Sequence, residues 1–174
     1  INSLYFRGMN LSYWEYKSWF SNVDYTVIGS GIVGLNCALT LRENNPNAKI
    51  LVLEKGILPQ GASTKNAGFA CFGSISEVLS DLKAHSEEDT MHLVKKRFEG
   101  IQLLRKNLGD SAIDFQLNKG HELFLEEDVE LYEHCLNKLD VVNQLLRPVF
   151  GKSPFQIMEN SFGFQNIQDR YITH

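Results

Sequence analysis

The sequence predicts an α/β protein with a parallel βαβ unit near its N-terminus, and three observations support this fold class. Residues 25–28 form a short run of β-branched and aromatic side chains that is typical of a buried strand. Residues 32–42 follow a helical pattern, which ends at the breaker segment 44–47. A second apolar run at 49–53 then predicts the second strand of the unit.

The turn between the first strand and the helix carries the glycine pattern Gly-x-Gly-x-x-Gly. Its residues are Gly29, Ser30, Gly31, Ile32, Val33 and Gly34. Gly29 permits a tight turn, Gly31 leaves the backbone open to a pyrophosphate, and Gly34 lets the helix lie close to the strand. The helix N-terminus offers unpaired N–H groups and a partial positive charge to phosphates. This pattern predicts a dinucleotide-binding turn of the Rossmann-like type; a glycine-rich turn without a ligand is the alternative.

An acidic residue completes the pattern. Glu54 lies 20 residues after Gly34, at the end of the predicted second strand. A carboxylate in this position accepts hydrogen bonds from a ribose hydroxyl and repels a 2′-phosphate. The sequence therefore favours FAD or NAD over NADP.

Composition and the spacing of cysteines and histidines argue against several other classes of protein. The net charge of −4 gives no electrostatic reason to expect a nucleic-acid partner. No apolar stretch approaches the roughly 20 residues that span a bilayer, so no stable membrane insertion is expected. The three cysteines, Cys37, Cys71 and Cys135, have no metal-ligand spacing with one another or with a histidine, so no metal site is predicted. Their number and separation favour a cytoplasmic location.

A second segment of small residues follows Glu54 and begins at Lys55. Its further candidate cofactor-binding residues are Gly61, Ala62, Ser63, Asn66, Ala67 and Gly68. Small residues leave room for an extended ligand, and the side chains of Ser63 and Asn66 can hydrogen-bond polar oxygens. Taken alone, the segment would be interpreted as a mobile polar loop; because it follows a dinucleotide pattern that ends in Glu54, we interpret it as part of the cofactor site.

Together the two segments resemble the D-amino acid oxidase family of FAD-dependent oxidoreductases, which includes glycine, sarcosine and γ-glutamylputrescine oxidases. The resemblance covers the N-terminal half of such proteins and is specific over residues 25–73. It implies that the glycine turn and Glu54 hold the ADP half of FAD, and that the second segment lies along the diphosphate, ribityl chain and flavin. It also implies oxidation of a small amine or amino acid by hydride transfer to the flavin.

The resemblance also implies a domain organisation. We interpret residues 1–8 as the remnant of a tag, 9–110 as the N-terminal part of an FAD-binding domain, and 111–174 as the beginning of a truncated substrate domain. Catalytic residues, which the sequence does not identify, are then expected beyond position 174. The chain alone is expected to be inactive and to bind FAD weakly or not at all. The alternatives are an NAD-binding dehydrogenase domain, or an inactive fragment that self-associates or assembles with a missing C-terminal half.

Three helices are predicted after residue 70. A capping box that starts at Ser74 begins the first helix. Ser86 and the acids after it begin the second helix, which ends near Gly109. A third amphipathic helix covers residues 127–146 and is expected to stop at Pro148.

Strands are predicted between and after these helices. Residues 114–116 and 122–125 are expected to pair as a hairpin around the turn at 118–120. Residues 162–167 are expected to begin a further strand.

Overall fold

The computed structural model describes residues 11–174, so the predicted tag remnant at 1–8 lies outside the described residues. The protein is a mixed α/β chain with small sheets, which consists of two compact units. The N-terminal unit extends to Phe69, and the C-terminal unit runs from Ala70 to His174. The boundary predicted at 110 is a boundary between functional domains, which differs from this division into compact units. It stays a prediction.

The N-terminal unit contains the predicted βαβ unit. Its elements are α1 (Tyr13–Glu15), which continues as a π-helical turn (Tyr16–Phe20), β1 (Tyr25–Ile28), α2 (Ile32–Asn44), β2 (Ile50–Leu53) and α3 (Ala62–Lys65). Strands β1 and β2 are parallel, and Tyr25 pairs with Ile50 at the start of the ladder. The sequence therefore predicted both strands and the helix between them, with ends that differ by up to two residues.

Hydrogen bonds connect the first helix to the beginning of β2. Ser12 and Glu15 form a capping box at the helix N-terminus. At the C-terminal end, Lys49 Nζ donates to the carbonyl oxygens of Ser18 and Ser21, each at 2.7 Å. The ammonium group thus satisfies carbonyls that the helix end leaves unpaired.

Three long helices form most of the C-terminal unit: α4 (Ile75–Ala84), α5 (Glu87–Leu108) and α6 (Val129–Phe150). The predicted caps are confirmed, because Ser74 accepts from the N–H of Glu77 and Ser86 accepts from the N–H of Asp89. Helix α5 ends at Gly109, as predicted, where φ is 80°. Within residues 11–174, none of the helices combines the length and apolar character needed to cross a membrane.

The prediction that Pro148 stops the last helix is wrong. Helix α6 continues to Phe150 and ends at Gly151, which adopts the left-handed conformation. The proline lies in the last turn and removes only one backbone hydrogen bond. Residues before and after the proline pack tightly and hold that turn in place: Leu146 is fully buried, and the ring centroids of Phe150 and Phe72 are 4.5 Å apart.

The predicted hairpin is also wrong. Residues 110–114 form a turn, and residues 115–116 after it belong to no strand; Asp114 has a left-handed φ of 48°, which interrupts a strand. The sheet is instead antiparallel and three-stranded, in the order β3 (His121–Glu122), β5 (Arg170–Thr173), β4 (Gln156–Glu159). The central strand therefore comes from the end of the chain.

The strand predicted at 162–167 does not form. Gly163 and Asn166 both have positive φ, and Ile167 makes an isolated bridge to Leu125. Positive φ at two of six positions is incompatible with a regular strand.

The core of the C-terminal unit lies between the helices and the sheet. Its buried hydrophobic residues are Ile75, Val78, Leu79, Val94, Phe124, Tyr132, Cys135, Val142, Leu146, Phe155 and Ile172. One buried amide crosses this core. Asn143 Oδ1 accepts from the N–H of Phe155 at 2.9 Å, and Asn143 Nδ2 donates to the carbonyl of Phe155 at 3.0 Å. The pair attaches helix α6 to the entry of β4.

We expect Asn143→Ala to destabilise the C-terminal unit by about 2–4 kcal/mol, because it leaves the buried N–H and C=O of Phe155 without partners. Urea unfolding followed by circular dichroism measures the loss. Asn143→Asp is the informative second variant, since a carboxylate still accepts from the N–H but no longer donates to the carbonyl. The exposed Asn118→Ala is the control, and equal stability of the Asn118 and Asn143 variants would contradict this role.

Candidate cofactor-binding site

The glycine turn connects β1 to α2 at the end of the parallel ladder. Gly29 has a φ of +95°, and its N–H donates to the carbonyl of Leu53 at 2.7 Å. Gly34 lies directly against this turn, because a Cβ added at Gly34 would overlap the carbonyl oxygen of Gly29. The same Cβ would lie 3.4 Å from Val27 Cγ1. Both glycines are therefore required by the backbone geometry, as the sequence pattern predicts.

Glu54 points toward the glycine turn. Its Oε2 accepts two hydrogen bonds from Ser30, one from the N–H at 2.8 Å and one from the hydroxyl at 2.6 Å. Its Oε1 accepts from the N–H groups of Lys55 at 3.0 Å and Gly56 at 3.4 Å. The structure thus joins the two parts of the sequence pattern, although they are 24 residues apart.

These donors also keep the carboxylate charged. The Ser30 hydroxyl, followed by the N–H groups of Ser30 and Gly56, lowers the pKa of Glu54 from its ordinary value of 4.5 to about 2. Glu54 is therefore ionised at every physiological pH. A permanent negative charge here accepts hydrogen bonds from hydroxyl groups and repels a phosphate.

Ser63 reaches the turn from the second small-residue segment. Its Oγ accepts from the N–H of Ile32, the first residue of α2, at 2.9 Å. A Cβ added at Gly31 would lie 3.1 Å from the same oxygen, so the absence of a side chain at Gly31 makes room for Ser63. Since the hydroxyl accepts in this contact, its own hydrogen stays available as a donor.

The first turn of α2 presents further donors. The intrahelical hydrogen bonds begin with the N–H of Leu35, which donates to the carbonyl of Gly31 at 2.9 Å. The N–H groups of Val33 and Gly34 precede this bond and have no acceptor within the helix. The free N–H groups of Val33 and Gly34 and the Ser63 hydroxyl fit a diphosphate, and the Glu54 carboxylate fits a ribose.

The rest of the second segment forms its own local structure. Gly61 is the N-cap residue of α3, and Ala62 is the first residue of that helix. Gly68 has a φ of +84°, and its N–H donates to Asn66 Oδ1 at 2.8 Å. The described contacts of Asn66, Ala67 and Gly68 thus lie within their own turn, and the structure brings only Ser63 of this segment to the glycine turn.

Sequence reasoning missed two residues that support the site. Gly56 donates its N–H to Glu54, and a Cβ at this position would lie 2.9 Å from the carbonyl oxygen of Leu58. Thr64 Oγ1 is within 3.1 Å of the carbonyls of both Pro59 and Gly61, which closes the loop before α3. A glycine two residues after the acid of the motif was a visible signal for Gly56, whereas no pattern indicated Thr64.

A parallel βαβ unit with a side-chain-free turn and an acid at the tip of the second strand is typical of α/β proteins that bind a dinucleotide. The sequence model of the FAD dependent oxidoreductase family matches residues 24–151, which is most of the chain. The chain therefore belongs to the FAD dependent oxidoreductase family. The cofactor of this family is FAD.

Individual relatives are distant and match in part. A probable oxidoreductase, OrdL, of Haemophilus influenzae is 27% identical over 122 residues, which are 70% of this chain and 28% of the relative. A thiamine thiazole synthase of Yarrowia lipolytica is 33% identical over 57 residues, which are 33% of this chain and 18% of the relative. The corresponding enzyme of Candida albicans (strain WO-1) is 36% identical over 55 residues, 32% of this chain and 16% of the relative.

The chain spans less than a third of the length of each of these relatives. No solved structure matches it significantly.

We expect Gly34→Ala to destabilise the N-terminal unit by about 1–3 kcal/mol or more, because the new methyl group overlaps the Gly29 carbonyl and separates α2 from the turn. Gly61→Ala is the matched control, since its methyl group enters open space; a loss of about 0.5 kcal/mol or less is expected there. The two tryptophans, Trp14 and Trp19, both lie in the N-terminal unit, so tryptophan fluorescence during urea unfolding measures its stability.

Glu54 gives a pH dependence of defined sign. Its pKa is lower in the folded state than in the unfolded chain, so its ionised form stabilises the folded protein above pH 4.5. That stabilisation is lost as the pH falls through about 2. We therefore expect the difference in unfolding free energy between wild type and Glu54→Gln to be constant near neutral pH and to shrink below pH 4.5. A difference that does not change with pH would contradict the lowered pKa.

Proposed function

We propose that residues 25–68 bind FAD in a Rossmann-like arrangement, with the ADP half at the glycine turn and Glu54, and that the protein acts in the oxidation of a small amine or amino acid. The observation that carries the proposal is the joining of Glu54 to the glycine turn through Ser30. Membership in the FAD dependent oxidoreductase family supports the same cofactor.

Each part of the site has a defined task in this proposal. The N–H groups at the start of α2 and the Ser63 hydroxyl hold the diphosphate. Glu54 accepts from a ribose hydroxyl, and its charge excludes a 2′-phosphate. When bound, FAD supplies the electron acceptor for substrate oxidation.

The second segment extends the proposed site beyond the diphosphate. The segment is poor in large side chains at Gly61, Ala62, Asn66, Ala67 and Gly68. Lys55 directly follows Glu54 at the start of the same segment. Asn66 Nδ2 remains a donor because the described hydrogen bond of this side chain uses Oδ1. We propose that these residues face the ribityl and flavin part of FAD.

The substrate and the domain roles are proposed from the resemblance. Residues 9–110 are assigned to FAD binding and 111–174 to the beginning of a substrate domain. The relatives are much longer than the part that this chain matches. We therefore place the residues that bind substrate and transfer protons in the unmatched part of such a protein, and we expect this chain alone to show no turnover.

Calorimetric titration of the chain with FAD tests the cofactor assignment. The sequence alone allows weak binding or none; because the described site supplies contacts for the ADP half, we expect weak but saturable binding. Ser63→Ala should weaken binding about tenfold, because it removes a hydroxyl donor to a charged oxygen. Ser111→Ala, an exposed serine in the C-terminal unit, is the control.

Two results would contradict the proposal. Absence of saturable FAD binding by the wild-type chain would contradict the cofactor site. Anaerobic bleaching of the bound flavin by an amine or amino acid, in this chain alone, would contradict the assignment of the catalytic residues to another part of the protein.

A further inference from the structure

Ser30 is the residue of the glycine motif whose side-chain hydroxyl contacts Glu54, the acid of the candidate site. It lies between Gly29 and Gly31, where the dinucleotide pattern specifies no residue type. Its hydroxyl and its N–H both donate to the same oxygen, Glu54 Oε2, at 2.6 and 2.8 Å. Two donors from one residue fix the direction of the carboxylate as well as its distance.

The other oxygen of the carboxylate is held by backbone alone. Glu54 Oε1 accepts from the N–H groups of Lys55 and Gly56, and the second of these bonds is long, at 3.4 Å. The short hydroxyl contact is therefore the strongest side-chain contact of an exposed glutamate that otherwise rotates about three bonds. Removing it leaves the carboxylate charged but less well oriented toward the turn.

We propose that Ser30 is a positioning residue for cofactor selection: it holds Glu54 against the glycine turn, in the orientation that accepts a ribose hydroxyl and excludes a 2′-phosphate. This inference rests on the proposed FAD site but concerns a residue that acts through Glu54. Any effect of Ser30 on ligand binding should then require the Glu54 side chain.

The first test measures Glu54 without cofactor. NMR titration of the Glu54 side-chain carboxyl carbon, assigned by comparison with Glu54→Gln, gives its pKa in wild type, Ser30→Ala and Ser30→Thr. The pKa should rise from about 2 toward 4.5 in Ser30→Ala, because the hydroxyl that contributes most to the shift is gone. Ser30→Thr keeps a hydroxyl and should keep the low pKa. An unchanged pKa in Ser30→Ala would overturn the inference.

The second test is a double-mutant cycle on FAD affinity. Ser30→Ala should weaken FAD binding by about threefold to tenfold when Glu54 is present, a modest effect because the site is exposed. In the Glu54→Ala background, the same substitution should have no further effect, because the group through which Ser30 acts is missing. Ser30→Thr should restore affinity. Equal losses in both backgrounds would show a direct or merely structural role and would overturn the inference.

The two tests separate this inference from the proposed function. If the pKa of Glu54 rises in Ser30→Ala but the wild-type chain does not bind FAD, the cofactor assignment fails while the orientation of Glu54 by Ser30 stands. If FAD binds and neither the pKa nor the affinity responds to Ser30→Ala, the inference fails while the FAD site stands.

Discussion

The contact between helix α2 and the turn that precedes it is the constraint on which the candidate site depends. Gly34 has no side chain, so the helix packs against the carbonyl of Gly29 at a distance that a Cβ would forbid. The N–H of Gly29 in turn donates to the carbonyl of Leu53, the last residue of β2. Glu54 is then within reach of Ser30, and Ser63 within reach of Ile32. The donors at the start of α2 depend on the Gly34 contact, and the charge of Glu54 reaches the same turn through the pairing of β1 with β2.

The two units are stabilised by different means. The C-terminal unit has a continuous apolar core beneath its sheet, crossed by the paired amide of Asn143. Among residues 11–69, Val27 is the one hydrophobic side chain that counts as buried, at 9% exposure. In the N-terminal unit, the parallel pairing of β1 with β2 and the hydrogen bonds around the glycine turn connect the elements. Since ligand binding to the folded state stabilises that state, FAD is expected to stabilise this unit in particular.

Local chemistry explains which elements were predictable. The helix starts at Ser74 and Ser86 depend on a side chain and the N–H three residues later, so nearby sequence is sufficient. The glycine motif predicted the turn and α2, and its spacing to Glu54 predicted the acid that follows β2. Pro148 misled the prediction because its local cost is outweighed by burial of Leu146 and by ring packing of Phe150, which are tertiary contacts.

The sequence alone determined the βαβ unit, the family resemblance and the candidate residues from Gly29 to Gly68. Only the tertiary structure decided which of those residues meet: Ser30 with Glu54, and Ser63 with Ile32, while Asn66 bonds within its own turn. It also decided that β3 pairs with β5, about fifty residues away along the chain. Strand pairing and side-chain contacts of this kind depend on which distant segments the packed chain brings together, and short-range sequence patterns carry no information about that choice.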